Sequence, residues 1–263
     1  MEEQKNDNVF EFQTVQSHSL KTLFEVLKDV LNDVNITIDE TGLKIMAMDG
    51  HHVALIHLKL DAENFEYFHC KRKTIVGVCM MSFYKLMKTI SNSDTITMLM
   101  TEDDTDKLSI IIKNANKNTV TKFNLKLLDI DEQEISIPDV EIDCVVTMMS
   151  NEFQKLCRDM SNIKETITIT SENKEIKFGC DGDFAEWETT IGETSNGLVF
   201  NKQTDEYITG EYSLKYINLF TKSTNLCNTI ELYLKQDYPL IMKYNVGNLG
   251  QIKFCLAPKR NEN

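Results

Sequence analysis

Two α+β domains, each built on antiparallel sheets with two helices, are predicted by three observations. A helix followed by a strand-rich stretch recurs four times, and each copy opens at a serine suited to cap a helix: Ser17, Ser82, Ser150 and Ser213. Strand-like runs far outnumber these helices, which indicates antiparallel sheets rather than alternating β-α-β units. Between Lys126 and Cys144 both periodicities lapse in LLDIDEQEISIPDVEID, where six acids fall between Asp129 and Glu141. That stretch is the expected linker, giving a first domain over 1–126, a connection over 127–141 and a second domain over 142–263. A chain of 263 residues can bury two such cores.

Along the first half, alternating apolar residues predict a strand over 9–15, then the Ser17 helix. Short strands follow over 35–38, 42–48 and 53–60, separated by the turn signals Glu-Thr-Gly and Asp-Gly-His-His. The pattern then restarts, with strand 74–79, the Ser82 helix, and strands over 95–100, 108–112 and 120–127. The second half restates it with strand 142–148, the Ser150 helix, and strands over 166–170, 175–180 and 187–191. The last quarter holds strand 206–210, the Ser213 helix, strands over 229–234, 240–246 and 251–256, and the tail APKRNEN.

The helices carry a second pattern. After Ser150, Phe153, Leu156, Cys157 and Met160 share one face, while Lys155 and Arg158 fall on the other. Leu20, Leu23, Leu27 and Leu31 form the stripe of the Ser17 helix, with Lys21 and Lys28 on a common line. Phe83, Leu86, Met87 and Ile90 are opposed by Lys85 and Lys88, and Leu214, Ile217 and Phe220 by Lys215 and Lys222. Any single pair is readily explained as solvation of an exposed helix face. Its recurrence in all four helices weighs against that reading, and the net charge of −13 argues against a binder whose whole surface is basic without excluding local positive surface.

Composition narrows the remaining classes. With 41% hydrophobic and 26% charged residues the chain reads as a soluble globular protein, and no apolar run approaches the roughly 20 residues of a membrane span. The first residues, MEEQKNDN, are acidic and polar where a secretory leader is basic and then apolar, so secretion is not expected. Seven cysteines, scattered singly, suit reduced thiols.

Enzymatic signatures are missing. His51-His52, His57 and His69-Cys70 match no zinc spacing, and no phosphate loop, dinucleotide fingerprint or nucleophile elbow occurs. Ser82-Phe-Tyr-Lys85 fits a Ser-x-x-Lys signature without its companions and reads better as a helix start. The run Glu102 to Asp106 reads as a solvated hairpin loop, and Cys157 as a buried thiol. No metal, cofactor or catalytic residue is expected.

Four segments, LKIMAMDGHHVALIHLKL, LKLLDIDEQEISIPD, FQKLCRDMSNI and IKFCLAPK, closely resemble the eukaryotic-type sliding clamp family, proliferating cell nuclear antigen (PCNA), in register from about Val9 to Lys259. The resemblance implies the DNA clamp fold and a homotrimer closing a ring whose helices line a hole for duplex DNA. It implies a processivity factor in replication and repair, placed in the nucleus or at a viral replication site. The family's hole-facing positions match Lys21, Lys28, Lys85, Lys88, Lys155, Arg158, Lys215 and Lys222. Its pocket for partner peptides, used by DNA polymerase, clamp loader and other proteins, matches Met48, His52, Val53, Leu55, Ile135, Ile137, Pro239, Ala257 and Pro258; of these, Val53 and Leu55 read from sequence as simple core. Its subunit contacts match edge strands near 119–126 and 184–191, with Phe123 as an anchor and Phe184 and Trp187 opposite.

This sequence departs from the family in two places. Asn162 replaces a hole-facing histidine, and Asn173 replaces the modifiable lysine, with Lys174 adjacent. A checkpoint-type clamp subunit and a monomeric viral processivity factor share the fold and stand as alternatives.

Overall fold

The structure, a computed structural model, describes residues 7–132, 135, 140–194, 198–202 and 207–259. Two compact units make up the chain: Met1–Ala47 with His57–Ile135 and Val246–Gln251, and Met48–Ile56 with Ser136–Asn245 and Ile252–Asn263.

In the first half the order is β1 (Asn8–Thr14), α1 (Ser17–Val30), β2 (Asp33–Asp39), β3 (Gly42–Met48), β4 (Ala54–Asp61), β5 (Tyr67–Cys70), β6 (Thr74–Cys79), α2 (Met80–Met87), β7 (Thr95–Thr101), β8 (Asp104–Asn114) and β9 (Thr119–Lys126). In the second half it is β10 (Cys144–Met149), α3 (Ser150–Met160), β11 (Thr166–Glu172), β12 (Glu175–Asp181), β13 (Glu186–Gly192), β14 (Val199–Lys202), β15 (Ile208–Ser213), α4 (Leu214–Phe220), β16 (Thr229–Leu234), β17 (Leu240–Val246) and β18 (Gly250–Leu256).

Pairing repeats between the halves. β1 lies between β5 and β7 as β10 lies between β14 and β16, and β2 lies between β3 and β6 as β11 lies between β12 and β15. All these pairs are antiparallel. The β1 pairs fall in a five-stranded sheet in the order β5-β1-β7-β8-β9, and the β11 pairs in a four-stranded sheet in the order β13-β12-β11-β15. Alternation explains the register: on β8, Leu108, Ile110 and Ile112 are buried, whereas Ser109 and Ile111 are only partly covered.

Each helix buries most of its apolar stripe, although Leu86 and Leu156 are only half-buried and the buried Leu31 and Ile90 lie past the ends of α1 and α2. Phe24 of α1 meets Phe83 of α2 edge to face at 4.4 Å, and Phe153 of α3 packs on Phe178 of β12 at 5.8 Å. Such fully covered aromatic side chains each contribute roughly 2–3 kcal/mol through area removed from water. Cys157 is wholly buried on the same face of α3, where burial pushes its thiol up and leaves it a small hydrophobe.

The four serines are not side-chain caps. α1 follows Gln16, α2 begins at Met80 so that Ser82 lies inside it, and α3 follows Met149; Ser213 does hold the position before α4, but without a capping bond. Ser17 and Ser150 are instead buried first residues whose hydroxyls donate to the carbonyls of Ser91 at 3.1 Å and Cys227 at 2.8 Å. Tertiary carbonyls outcompeted the local backbone, which a one-dimensional cap signal cannot foresee. β5 and β14 were not expected, and the turn of the acidic hairpin is confined to Glu102 and Asp103, since Asp104 to Asp106 already belong to β8. Glu102 is bound by Lys71 and Arg72.

The connection starts against β6. Leu128 N–H donates to Gly77 O at 2.8 Å and Asn35 Nδ2 donates to Ile130 O at 3.0 Å. A Cβ on Gly77 would stand 2.2 Å from Leu128 O, so the approach of this segment requires glycine there.

Candidate nucleic-acid interface and partner-docking surface

In each half two helices are pinned at the same points. Ser17 and Ser150 fix the starts of α1 and α3, as above. One turn further on, Lys21 Nζ donates to Ile90 O at 3.0 Å and Gln154 Nε2 donates to Thr221 O at 2.7 Å, carbonyls that lie just past the ends of the companion helices α2 and α4.

The eight sequence-selected cations therefore divide. Lys85, Lys88, Lys155, Arg158, Lys215 and Lys222 are exposed. Lys85 and Lys88 stand at the end of α2, Lys155 and Arg158 along α3, and Lys215 on α4. Lys222 lies not on α4 but on the 3-10 turn Thr221–Asn225 that follows it. Arg158 has Asp159 at 3.6 Å, a surface pair of little energetic weight.

Lys21 and Lys28 differ from the wheel's prediction. Both are half-buried: Lys21 is spent on Ile90 O, while Lys28 pairs with Asp29 and sits 5.0 Å above the Tyr84 ring of α2. A flank of α1 is partly covered by α2, so both stems are packed; the charge of Lys28 meets Asp29, whereas the Lys21 ammonium bonds a neutral carbonyl. The residues α1 leaves most exposed are His18 and Glu25. Asn162, at the end of α3, turns its amide back to the carbonyls of Asp159 at 3.2 Å and Arg158 at 3.4 Å.

Two of the edge strands are those that the resemblance matched to subunit contacts. β9 pairs only with β8, and β13 only with β12. Phe123 and Trp187 are half-covered, the indole N–H donating to Thr189 at 2.9 Å, whereas Val120 is 67% and Phe184 77% exposed. Unpaired edges with apolar side chains at their margin are ready for strand addition. Phe123 also lines a groove against α2 with Cys79, Leu86, Leu125 and Leu128.

Most of the positions that the resemblance matched to a peptide pocket lie around one loop of the second unit. Asp49 N–H donates to Ala54 O and His52 N–H to Asp49 O, closing a turn in which His52 has φ 56° and is exposed. Ala257 N–H donates to Val53 O at 3.0 Å, which ties the tail before Pro258 to this loop. Lys259 N–H donates to Glu211 O at 2.7 Å and Tyr212 lies beside Tyr238 O, so β15 borders both the tail and the Tyr238-Pro239 segment. Met48, Val53, Leu55, Pro239 and Pro258 are half-buried and Ala257 exposed. Val53 and Leu55 are thus not core, because alternation turns Ala54 and Ile56 inward. Ile135 is half-buried in the first unit, and Ile137 lies outside the described residues.

The sequence reading missed Asp49. Its carboxylate is 4% exposed and receives four donors: Val53 and Ala54 N–H at 2.7 Å each, His51 N–H at 3.0 Å and the Tyr216 hydroxyl of α4 at 2.7 Å. Burial works to raise this carboxyl, but the donors together hold it below the usual aspartate range. Burial and the same bond push Tyr216 up to about 12. An acid between Met48 and the apolar run from Val53 was the available signal.

Asn173 and Lys174 form the two-residue tip between β11 and β12, with φ 47° and 60°. Asparagine tolerates that left-handed geometry, and Lys174 extends to Glu193 at 3.7 Å. Among the described residues no three His, Cys, Asp or Glu side chains gather to hold a metal, and no helix is long and apolar enough to cross a membrane.

A doubled unit of this kind, two pinned helices against antiparallel sheets with cations on exposed helix flanks, defines the class of DNA-clamp folds. Residues 9–135 match the N-terminal domain of proliferating cell nuclear antigen, and residues 136–259 match its C-terminal domain. The chain belongs to the proliferating cell nuclear antigen family. It is 39% identical over 258 residues to a protein of Paramecium bursaria Chlorella virus 1 named "Probable DNA polymerase sliding clamp 1", a match that covers 96% of this chain and 98% of that one.

Proposed function

We propose that this protein is a DNA sliding clamp: a non-enzymatic ring that encircles duplex DNA and holds polymerase and other replication and repair proteins on it. The observation that carries this reading is the doubled unit that spans the family match from residue 9 to 259 with exposed cations on α2, α3 and α4. Three copies close head to tail by pairing β9 of one with β13 of the next, which leaves neither edge free; Phe123, Phe184 and Trp187 anchor the seam. The exposed lysines and Arg158 face the hole and meet phosphates without reading bases. The loop of Met48, His52, Val53 and Leu55, with Ile135, Ile137, Pro239, Ala257 and Pro258, takes an extended peptide bearing a glutamine and two aromatic residues, supplied by polymerase, clamp loader or other partners. The site of action is where DNA is copied, in a nucleus or a viral replication compartment. A hetero-oligomeric checkpoint subunit or a monomeric factor is not favoured, given similarity over nearly the whole chain to a protein named a sliding clamp.

Topology provides the test. A direct binder held by about six phosphate contacts loses roughly 10³-fold or more in affinity between low and moderate salt. A closed ring loaded on nicked circular plasmid stays linked at that salt and leaves once the circle is cut, as followed by gel filtration. Equal retention on circular and linear DNA overturns the ring. Phe123→Asp is expected to give monomers by light scattering and to abolish retention.

A further inference from the structure

Asp49 is a buried carboxylate with two donors on each oxygen: Val53 and Ala54 N–H on Oδ1, His51 N–H and the Tyr216 hydroxyl on Oδ2. Three of these donors are backbone groups of the loop that carries His52 and Val53, and the fourth belongs to a helix that is distant in sequence. Charge-assisted bonds of this kind are stronger than neutral ones, and two donors per oxygen fix the direction of each N–H. The loop is held in a shape it would not adopt alone, since His52 sits at φ 56°, where a side chain is disfavoured.

We propose that Asp49, itself oriented by Tyr216, is the positioning residue of the partner-docking loop. The carboxylate winds residues 49–54 so that His52 and Val53 project toward an incoming peptide and Val53 O stays committed to Ala257 N–H. Affinity then arises partly from a loop whose ordering was completed during folding and is not charged to binding. This rests on the docking reading above. Tyr216 adds a physical connection between the loop and α4, the helix that exposes Lys215 on a neighbouring position.

The experiment is calorimetry with a synthetic peptide containing a glutamine and two aromatics, on the intact chain and two variants. Asp49→Asn keeps the size of the side chain but replaces one doubly accepting oxygen with a donor, which opposes the N–H groups it faces. Tyr216→Phe removes one hydroxyl and leaves the ring beside Phe220, 6.1 Å away. Both are measured at a temperature where circular dichroism shows them folded and light scattering shows an unchanged mass. Expected are a Kd about tenfold weaker for Asp49→Asn and about threefold weaker for Tyr216→Phe. A carboxylate that merely stabilises the fold would lower the melting temperature and leave the Kd of the folded protein alone, and unchanged affinity in both variants overturns the proposal. If Asp49→Asn does not fold, Tyr216→Phe decides, and wild-type affinity in that variant overturns it. Absence of binding by the unsubstituted chain removes the docking reading, and this proposal with it; binding lost only in the variants supports both.

Discussion

Lys21 on α1 and Gln154 on α3 stand one turn beyond equivalent buried serines, and each gives its side-chain donor to a carbonyl just past the end of the companion helix, Ile90 in one case and Thr221 in the other. One pair of helices fills this latch with a charged residue and the other with a neutral amide. The latch requires a long side chain with a terminal N–H and does not require a charge. Lysine at position 21 is therefore explained by packing between α1 and α2. Lys85, Lys88, Lys155, Arg158, Lys215 and Lys222 are exposed and take no part in this latch.

The largest expected effects test whether the two helix pairs carry equal structural weight. Leu20 and Phe153 occupy matching buried places, at 2% and 0% exposure. Leu20→Ala is expected to cost about 2–5 kcal/mol and Phe153→Ala about 3–5 kcal/mol, read from urea unfolding. A cost near zero in either would show that its helix is not anchored through this face.

Next in size is the division among cations. Alanine at Lys85, Lys88, Lys155 and Arg158 together is expected to lower the low-salt affinity for duplex DNA by about a hundredfold and to flatten the plot of log K against log salt by about 3 to 4, while Lys21→Gln changes neither. Fluorescence anisotropy over a salt series reads both values. A loss in Lys21→Gln as large as in the fourfold variant would return α1 to the DNA-facing surface.

The smallest effect concerns the pins. Ser17→Ala and Ser150→Ala each remove a hydroxyl that satisfies a carbonyl, and each should cost about 1 kcal/mol in chemical denaturation. Similar costs in the two halves would mark the pin as a shared device of the repeat. A clear inequality would break the comparison at its root.

Much of the architecture was legible in the chain because it depends on short-range regularities. Alternation over eight or fewer residues identifies strands such as β8 and β16, and a 3.6-residue stripe identifies α3, since each element must bury one face. The exposed lysines of α2, α3 and α4 followed from the same logic. β5 and β14 were not legible: each has only four residues, and each is a strand by virtue of its bonds to β1 or β10.

What the sequence by itself determined is which residues must be covered: the stripes Leu20-Leu23-Leu27 and Phe153-Cys157-Met160, and the alternating apolar residues of the strands. Transfer from water is a property of a side chain and needs no knowledge of its neighbour. Only the tertiary structure decided which polar groups meet. Ser17 bonds Ser91 O instead of capping its own helix, Lys21 is spent on Ile90 O, and Asp49 is wound by its own loop and Tyr216. Hydrogen bonds are directional and short, so their partners are chosen by atoms brought within about 3 Å, and residues 167 positions apart, as Asp49 and Tyr216 are, find one another only once the fold exists.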